Sequence, residues 1–376
     1  MRYVFLLHPL FLSKMGQKTK LRDEKQPKKV CEEKMEYTLQ LIKKIAPDLT
    51  EEMVKRYRVL KTVRLLQPCG RRLVVLSLGM TERTVRSEIE RLSAQNLVHV
   101  SKIGMSLTEE GMEVLEGLES VFSALTGLSV LEESLAAALG AKKVYIAQGN
   151  SDDSERAQKE MGQLAARVLF ENTAEDLRIA IAGGSAMAEL VQAAPECLDP
   201  MAKMVLPARG SIGRRLELQA DTLAAKLAEK MQADYRLLHL PDNMSSHVLD
   251  EMRKDPDIAE TIQEMGQADI LLLGVGNALE MAGKRHLDEN IRALLQKENA
   301  VAEACGYYFD RKGKVVYETC SIGIDFNEID KMDCIIVVAG GKKKAESLLA
   351  VSHSIPNGIF VTDEGAALEM LRLAGK

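Results

Sequence analysis

The chain has 376 residues, 46% hydrophobic and 28% charged, with a formal net charge of −5. That length asks for two or three domains, because one core seldom serves beyond roughly 250–300 residues, and the acidic balance excludes a globally basic nucleic-acid binder, so any such function must sit in a local patch. Six scattered cysteines (Cys31, Cys69, Cys197, Cys305, Cys320 and Cys334) form no C-x-x-C pair and have no His at ligand spacing, which points to a reducing cytoplasm without disulfides or a bound metal.

Residues 1–34 read as a disordered or mis-started extension. The apolar run from Tyr3 to Leu12 contains His8 and Pro9 and falls short of the ~18 apolar residues a membrane span needs. Lys14 to Lys29 is basic and lacks a small-residue cleavage site, so a secretory signal is not expected and Met35 is the natural beginning of the folded protein.

Residues 35–127 are expected to form a winged helix-turn-helix with linker helices. Leu39, Ile42 and Ile45 lead to Pro47, and Thr50 is expected to cap a run carrying Met53, Val54, Tyr57, Leu60, Val63 and Leu66. Pro68-Cys69-Gly70 breaks it; Arg71 to Leu78 makes a short helix closed by Gly79, and Thr81 begins a longer one through Ala94. Leu97–Val100 and Met105–Leu107, around Lys102-Ile103-Gly104, form the wing. Val85, Ile89 and Leu92 share the inward face, leaving Arg83, Thr84, Arg86, Ser87 and Glu90 toward the other side. Between Lys55 and Leu107 eleven Lys or Arg face three Glu, an excess of eight positive charges within an acidic chain. Such charge supplies most non-specific DNA affinity, so Arg71, Arg72, Thr81, Arg83, Thr84, Arg86, Ser87 and Lys102 are the expected DNA contacts. Thr108 then caps a helix running through Phe122, Gly127 interrupts it, and a second helix with Leu131, Leu135 and Leu139 ends at Gly140.

Residues 128–376 are expected to be the ligand-binding unit. Candidate strands are Val144–Ala147, Ile179–Ala182, Lys203–Leu206, Tyr235–Leu240, Ile270–Gly274, Cys334–Ala339 and Gly358–Val361. Helical stretches alternate with them at Glu155–Phe170, Leu216–Met231, Ile258–Gly266, Ala345–Ser352 and Gly365–Leu373. Apolar strands alternating with amphipathic helices imply a doubly wound, Rossmann-like α/β sheet with helices on both faces, and Val315–Thr319 is a β excursion. Ligands in such sheets gather at the carboxyl ends of strands. There the chain carries Gly183-Gly184-Ser185-Ala186, Pro207-Ala208-Arg209-Gly210-Ser211-Ile212-Gly213, Gly274-Val275-Gly276 and Gly340-Gly341-Lys342-Lys343-Lys344. Glycine turns opening helices beside Arg209 and a lysine suit a phosphorylated small molecule. The pattern at 274–276 lacks the third glycine and the acid of a dinucleotide site. Two functions fit: a sugar-phosphate isomerase or deaminase, for which Asp221, Glu303 and Asp363 are the available carboxylates, or a sensor controlling the DNA reader. The fused winged helix favours the sensor.

Arg58-Val59-Leu60 through Gly70-Arg71-Arg72, Leu107-Thr108-Glu109-Glu110-Gly111, Pro207-Ala208-Arg209-Gly210, Glu303 to Phe309, Val338-Ala339-Gly340-Gly341 and Val361 to Ala367 together resemble the SorC family of bacterial transcriptional regulators, over some nine-tenths of the chain. The resemblance implies a cytoplasmic repressor, not an enzyme, acting on an operon for the triose part of glycolysis that includes glyceraldehyde-3-phosphate dehydrogenase. It implies double-stranded operator DNA as partner, fructose 1,6-bisphosphate as inducer with no other cofactor, and a homodimer that pairs into a tetramer on DNA. Gly184 and Ser185 would hold one phosphate, with Arg209 adding charge, Lys344 approaching a phosphate and Glu303 accepting sugar hydroxyls; Ala186, Gly210, Gly274 and Gly276 complete the expected site. Three positions depart from the family pattern. Ala186 and Ser211 replace Thr and Gly, and Asp221 stands for the usual Asn, which would bring negative charge near an anion.

Overall fold

The computed structural model describes residues 38–39, 41–211, 215–242 and 244–375. The expected extension 1–34, the Met35 start, and Ile212 and Gly213 of the arginine turn lie outside them.

Helix α1 (Pro47–Leu66) starts at Pro47, whose fixed φ suits the first helical turn. Thr50 is therefore not the cap expected: it lies inside the first turn, and its hydroxyl donates to Ala46 O at 2.9 Å. Helix α2 (Arg71–Leu78) ends on Gly79 at φ +63°, and α3 (Glu82–Ala94) is capped by Thr81, whose hydroxyl accepts from Thr84 N at 3.2 Å. The wing is the antiparallel pair β1 (Val98–Val100) and β2 (Met105–Leu107). Val59, Leu60, Val63, Val74, Val85, Ile89, Leu92, Val98 and Met105 make its core. Thr108 caps α4 (Glu109–Gly117), but the helix expected through Phe122 breaks at Leu118 into α5 (Glu119–Thr126), and α6 (Leu128–Leu139) follows Gly127. Tyr57 of α1 stacks on Phe122 of α5, ring centroids 3.9 Å apart.

The second unit is a seven-stranded parallel sheet. Its strands are β3 (Lys143–Ala147), β4 (Arg178–Ile181), β5 (Met204–Pro207), β6 (Asp234–Tyr235), β7 (Ile270–Leu273), β12 (Cys334–Val338) and β13 (Ile359–Asp363), in the order β3-β13-β12-β7-β4-β5-β6. Ile270–Leu273 and Cys334–Val338 are buried at every residue, as strands covered on both faces must be. One face packs α7 (Glu155–Asn172), α8 (Ser185–Ala193) and α9 (Ala220–Met231). The other packs α6, Met265 of α11 (Pro256–Met265), α14 (Ala345–Ser352) and α15 (Glu364–Leu373); the short α10 (Ser246–Met252) precedes α11.

The second unit departs from the expected elements in two places. The strand expected over Tyr235–Leu240 is only Asp234–Tyr235, because Leu238 N and His239 N donate to the Asp221 carboxylate (2.8 and 3.1 Å) instead of a neighbouring strand. The helix expected from Leu216 starts at Ala220, after a single 3₁₀ turn. The β excursion, β11 (Val315–Glu318), is one edge of a four-stranded antiparallel sheet with β10 (Tyr307–Asp310), β9 (Ala300–Ala304) and β8 (Gly276–Asn277). Helices α12 (Ala278–Lys284) and α13 (Glu289–Lys297) cover that sheet's outer core. Cys305 and Gly306, at φ +46° and +82°, make the two-residue turn between β9 and β10.

Chain order along the large sheet reverses between β4 and β7, which are adjacent. A crevice opens at the carboxyl ends of strands at such a reversal, and ligands bind there. The turns leaving these two strands are Gly183-Gly184-Ser185 and Gly274-Val275-Gly276.

Candidate functional site

After β4, Gly184 sits at φ +119° and provides no side-chain cap to α8, so the first amides of that helix stay open at Ser185 and Ala186. Gly183 is held by close backbone approach: a Cβ there would stand 2.7 Å from Leu218 O. This helix start faces a cavity of about 140 Å³ lined by Ser151, Asp152, Gln158, Met161, Ser185, Ala186, Glu189, Gly340 and Lys344. The volume is below the roughly 300 Å³ at which pockets enclose whole ligands, and it suits one phosphate-sized group. The Lys344 ammonium is pulled below its ordinary value, first by burial and then by Lys284. Such a cation gains most from an arriving anion. Ser185, Ala186 and Lys344 thus line one cavity.

Asp363 builds the cavity's frame. Its Oδ2 accepts from Ser151 N and Gly341 N, both at 2.7 Å, and its Oδ1 accepts from Ala366 N at 2.8 Å. The Asp152 carboxylate accepts from Lys343 N at 3.0 Å. One buried carboxylate therefore ties the loop after β3, the loop after β12 and the start of α15 together.

A second cluster occupies the same sheet edge. Arg209, after β5, is 5% exposed, pairs through Nε with Asp242 and donates through Nη2 to Thr319 Oγ1 at 2.7 Å. Arg285, at the end of α12, is 6% exposed and reaches Asp242 Oδ2 at 2.7 Å and Glu303 Oε1 at 2.9 Å. Burial works against the Arg285 charge, but Glu303 and Asp242 outweigh it and hold its pKa above the ordinary value. Its Nη1 has no hydrogen-bond partner among the described residues. Glu303 Oε1 also accepts from Gly306 N at 2.6 Å, and Gly276 pairs with Glu303 across β8 and β9. Glycine is required at 306, since a Cβ would collide with the Arg209 guanidinium. A Cβ on Gly210 would stand 2.8 Å from Leu240 O, whereas one on Gly274 would lie in ordinary contact with Val338 O at 3.7 Å.

The sequence flagged Arg209 and Glu303 but not Arg285, Asp242 or Asp152, which lie in polar stretches that look like any solvated surface. Asp221 accepts from Leu238 N and His239 N and, at 3.4 Å, from Ser211 Oγ of the arginine turn, so two of the departures from the family pattern touch each other. The three carboxylates considered for catalysis are all committed, Asp363 to three amides, Asp221 to two, and Glu303 to Arg285 and Gly306 N. None stands free as a general base.

On the winged helix, Arg71, Arg72, Thr81, Arg83, Arg86 and Lys102 are exposed, while Thr84 and Ser87 are half-buried. Arg86 pairs with Glu90 at 2.8 Å. The basic excess is smaller on this surface than the sequence count suggests. Lys55 pairs with Glu52, Arg56 and Arg91 pair with Glu52 and buried Glu88, and Lys61 reaches Glu160 of the second unit at 3.6 Å. No single helix among the described residues is long and apolar enough to cross a membrane.

Residues 123–372 match the sugar-binding domain family, and residues 53–122 match the N-terminal DNA-binding domain of the central glycolytic genes regulator. The chain is similar to the central glycolytic genes regulator of Priestia megaterium, with 35% identity over 90% of this chain and 99% of that protein. The Bacillus subtilis regulator of the same name is 37% identical over the same shares. Among solved structures, a SorC family transcriptional regulator from Enterococcus faecalis aligns at TM-score 0.61 and 29% identity, covering 64% of this chain and 99% of that one. The full-length sorbitol operon regulator of Klebsiella pneumoniae aligns at TM-score 0.61 over 83% of this chain and 97% of its own; at 18% identity it shows the fold alone. These relatives are regulators rather than enzymes, which decides between the two functions open from the sequence. The chain belongs to the SorC family of transcriptional regulators.

Proposed function

We propose that the protein represses a glycolytic operon that includes glyceraldehyde-3-phosphate dehydrogenase, and that fructose 1,6-bisphosphate, bound at the reversal of the large sheet, releases it from its operator. One observation carries the reading: two preorganised sets of donors share one strand edge, each with its cations balanced by carboxylates. The open start of α8 with Lys344 faces a phosphate-sized cavity, and Arg209 with Arg285 and Glu303 forms the other cluster. A ligand with a phosphate at each end and hydroxyls between would satisfy both, with the free Arg285 Nη1 as one donor. The names of the glycolytic relatives support the operon class. In this reading Arg71, Arg72, Arg83 and Lys102 hold phosphates, Arg86 and Thr84 reach base edges, and paired copies bind a two-part operator.

The departure at Ala186 and the acids lining the cavity matter for ligand choice. Ala186 supplies no hydroxyl, and Asp152 and Glu189 bring two carboxylates to the cavity of Lys344. The test is a calorimetric comparison of fructose 1,6-bisphosphate, fructose 6-phosphate and a triose phosphate. The bisphosphate is expected to bind tightest, and Ser185→Ala should weaken it about fivefold, the effect of one lost hydrogen bond. Equal binding of a monophosphate would reject the two-cluster reading.

A further inference from the structure

The geometry points to Glu160 as the positioning residue that couples the sugar-phosphate site to the DNA reader, through a three-residue ion cluster with Arg156 and Lys61. This rests on the sensor reading above and adds to it a route between the two sites.

Glu160 lies on α7 and is 2% exposed. Arg156, one turn earlier, donates to its Oε1 from Nε at 2.9 Å and from Nη2 at 2.6 Å. Its Oε2 is buried without a hydrogen bond and forms a long ion pair with Lys61 Nζ of α1, at 3.6 Å. A second α1 cation, Arg58, lies half-buried nearby, and its pKa falls below the ordinary value through burial and then Arg156. Half of this carboxylate is thus fully satisfied within the sensor. The other half depends on a long contact to the DNA-binding domain. A buried carboxylate with one unmade hydrogen bond is costly, so small changes in the Lys61 distance carry energy.

The same helix reaches the ligand site. Gln158 and Met161, on either side of Glu160, line the phosphate-sized cavity together with Ser185 and Lys344. Helix α7 is keyed to α8, the helix whose first turn opens on that cavity: a Cβ on Gly162 would stand 2.7 Å from Glu189 Cβ and 2.8 Å from Glu189 carbonyl carbon. Backbones this close cannot slide independently. A shift of α8 on binding an anion therefore carries α7 and Glu160 with it. Facing that end of α7 is a cavity of about 540 Å³ between α1 and the sensor, lined in part by Val54, Arg58, Gly149, Ser154 and Arg156. The side chains that line it are mostly polar or charged instead of a packed apolar seam, so α1 can shift against α7 at modest packing cost. The ligand's bias is then expressed in the Lys61–Glu160 contact, which differs between the two arrangements.

The experiment measures operator affinity with and without saturating fructose 1,6-bisphosphate, and calorimetric binding of the same ligand, for the full chain and for Lys61→Met, Lys61→Arg and Glu160→Gln. In Lys61→Met and Glu160→Gln, ligand binding should stay within about twofold while the ratio of the two operator affinities falls at least fivefold; Lys61→Arg should restore most of it. Using the ratio removes any general loss of DNA affinity from deleting a lysine. A purely structural Lys61 would lower thermal stability and leave the ratio alone. If the unaltered protein responds and Lys61→Met and Glu160→Gln respond as strongly, the coupling is refuted while the sensor stands. If the unaltered protein shows no response, the sensor reading falls and the coupling with it.

Discussion

Arg83 and Arg86 on the reader, and Arg209 and Arg285 at the sheet edge, are the same side chain in opposite surroundings. The first two stand in solvent with at most an exposed partner, Glu90. The second two are 5% and 6% exposed and locked to Asp242, Glu303 and Thr319. An exposed guanidinium keeps its hydration until DNA replaces it, so its loss should remove function and spare the fold. A buried one neutralises carboxylates that cannot ionise alone, so its loss should damage both. On the proposed function, the difference separates a removable contact to DNA from a preformed seat for a ligand.

The largest effect that could break this contrast is at Arg285. Arg285→Met leaves Asp242 and Glu303 without their shared cation, and denaturant unfolding should show a loss of about 3–5 kcal/mol. Adding Glu303→Gln should recover part of it; a stable Arg285→Met would mean the cluster is not charged as described. Arg83→Ala with Arg86→Ala sits at the other pole. Operator affinity should fall about tenfold or more and the salt dependence should flatten by ~1–2 in slope, with stability within about 0.5 kcal/mol. Unchanged operator binding would remove α3 from the DNA interface.

Glu132 on α6 sharpens the comparison, since it is half-buried, unlike the buried Glu303, and Lys143 is the cation that acts on it. Burial pushes its carboxyl up to about 7, although Ile146 N and Lys143 oppose the shift. A group whose folded pKa is raised contributes stability that is full below its unfolded value, 4.5, and is lost as pH rises through the folded value, near 7. Stability should therefore decline by roughly 1–3 kcal/mol between pH 4.5 and 8 from this group. Glu132→Gln, which can still accept from Ile146 N, should flatten that decline in thermal unfolding; an identical pH profile would contradict the assignment.

Much of the reader was legible because its signals are local. Thr81, Thr108, Gly79 and Gly127 punctuate helices where the structure ends them, and Val85, Ile89 and Leu92 mark the buried face. Pro47 overrode Thr50 as a start, since a fixed φ at the first turn does not need a cap. The parallel strands were legible as unbroken apolar runs. What could not be read was long-range: β9, buried at all five residues, shows no alternation, and the partners of Asp221 decide how far β6 extends. The candidate site divides the same way. Its glycine turns announce themselves at strand ends, whereas Arg285 meets Asp242 and Glu303 only because three distant segments converge. The count of basic residues overstated the DNA face for a related reason, since Arg56, Lys61 and Arg91 find carboxylates that only the fold brings near.

The central claim is that occupancy of the sheet-edge site loosens the grip on DNA. The most direct measurement is the affinity for an operator, selected from random duplexes, at fixed salt with and without saturating fructose 1,6-bisphosphate. The account predicts that the bisphosphate weakens operator binding at least tenfold, a coupling of about 1.4 kcal/mol or more, and that fructose 6-phosphate does far less. An operator affinity that the bisphosphate leaves unchanged would contradict it.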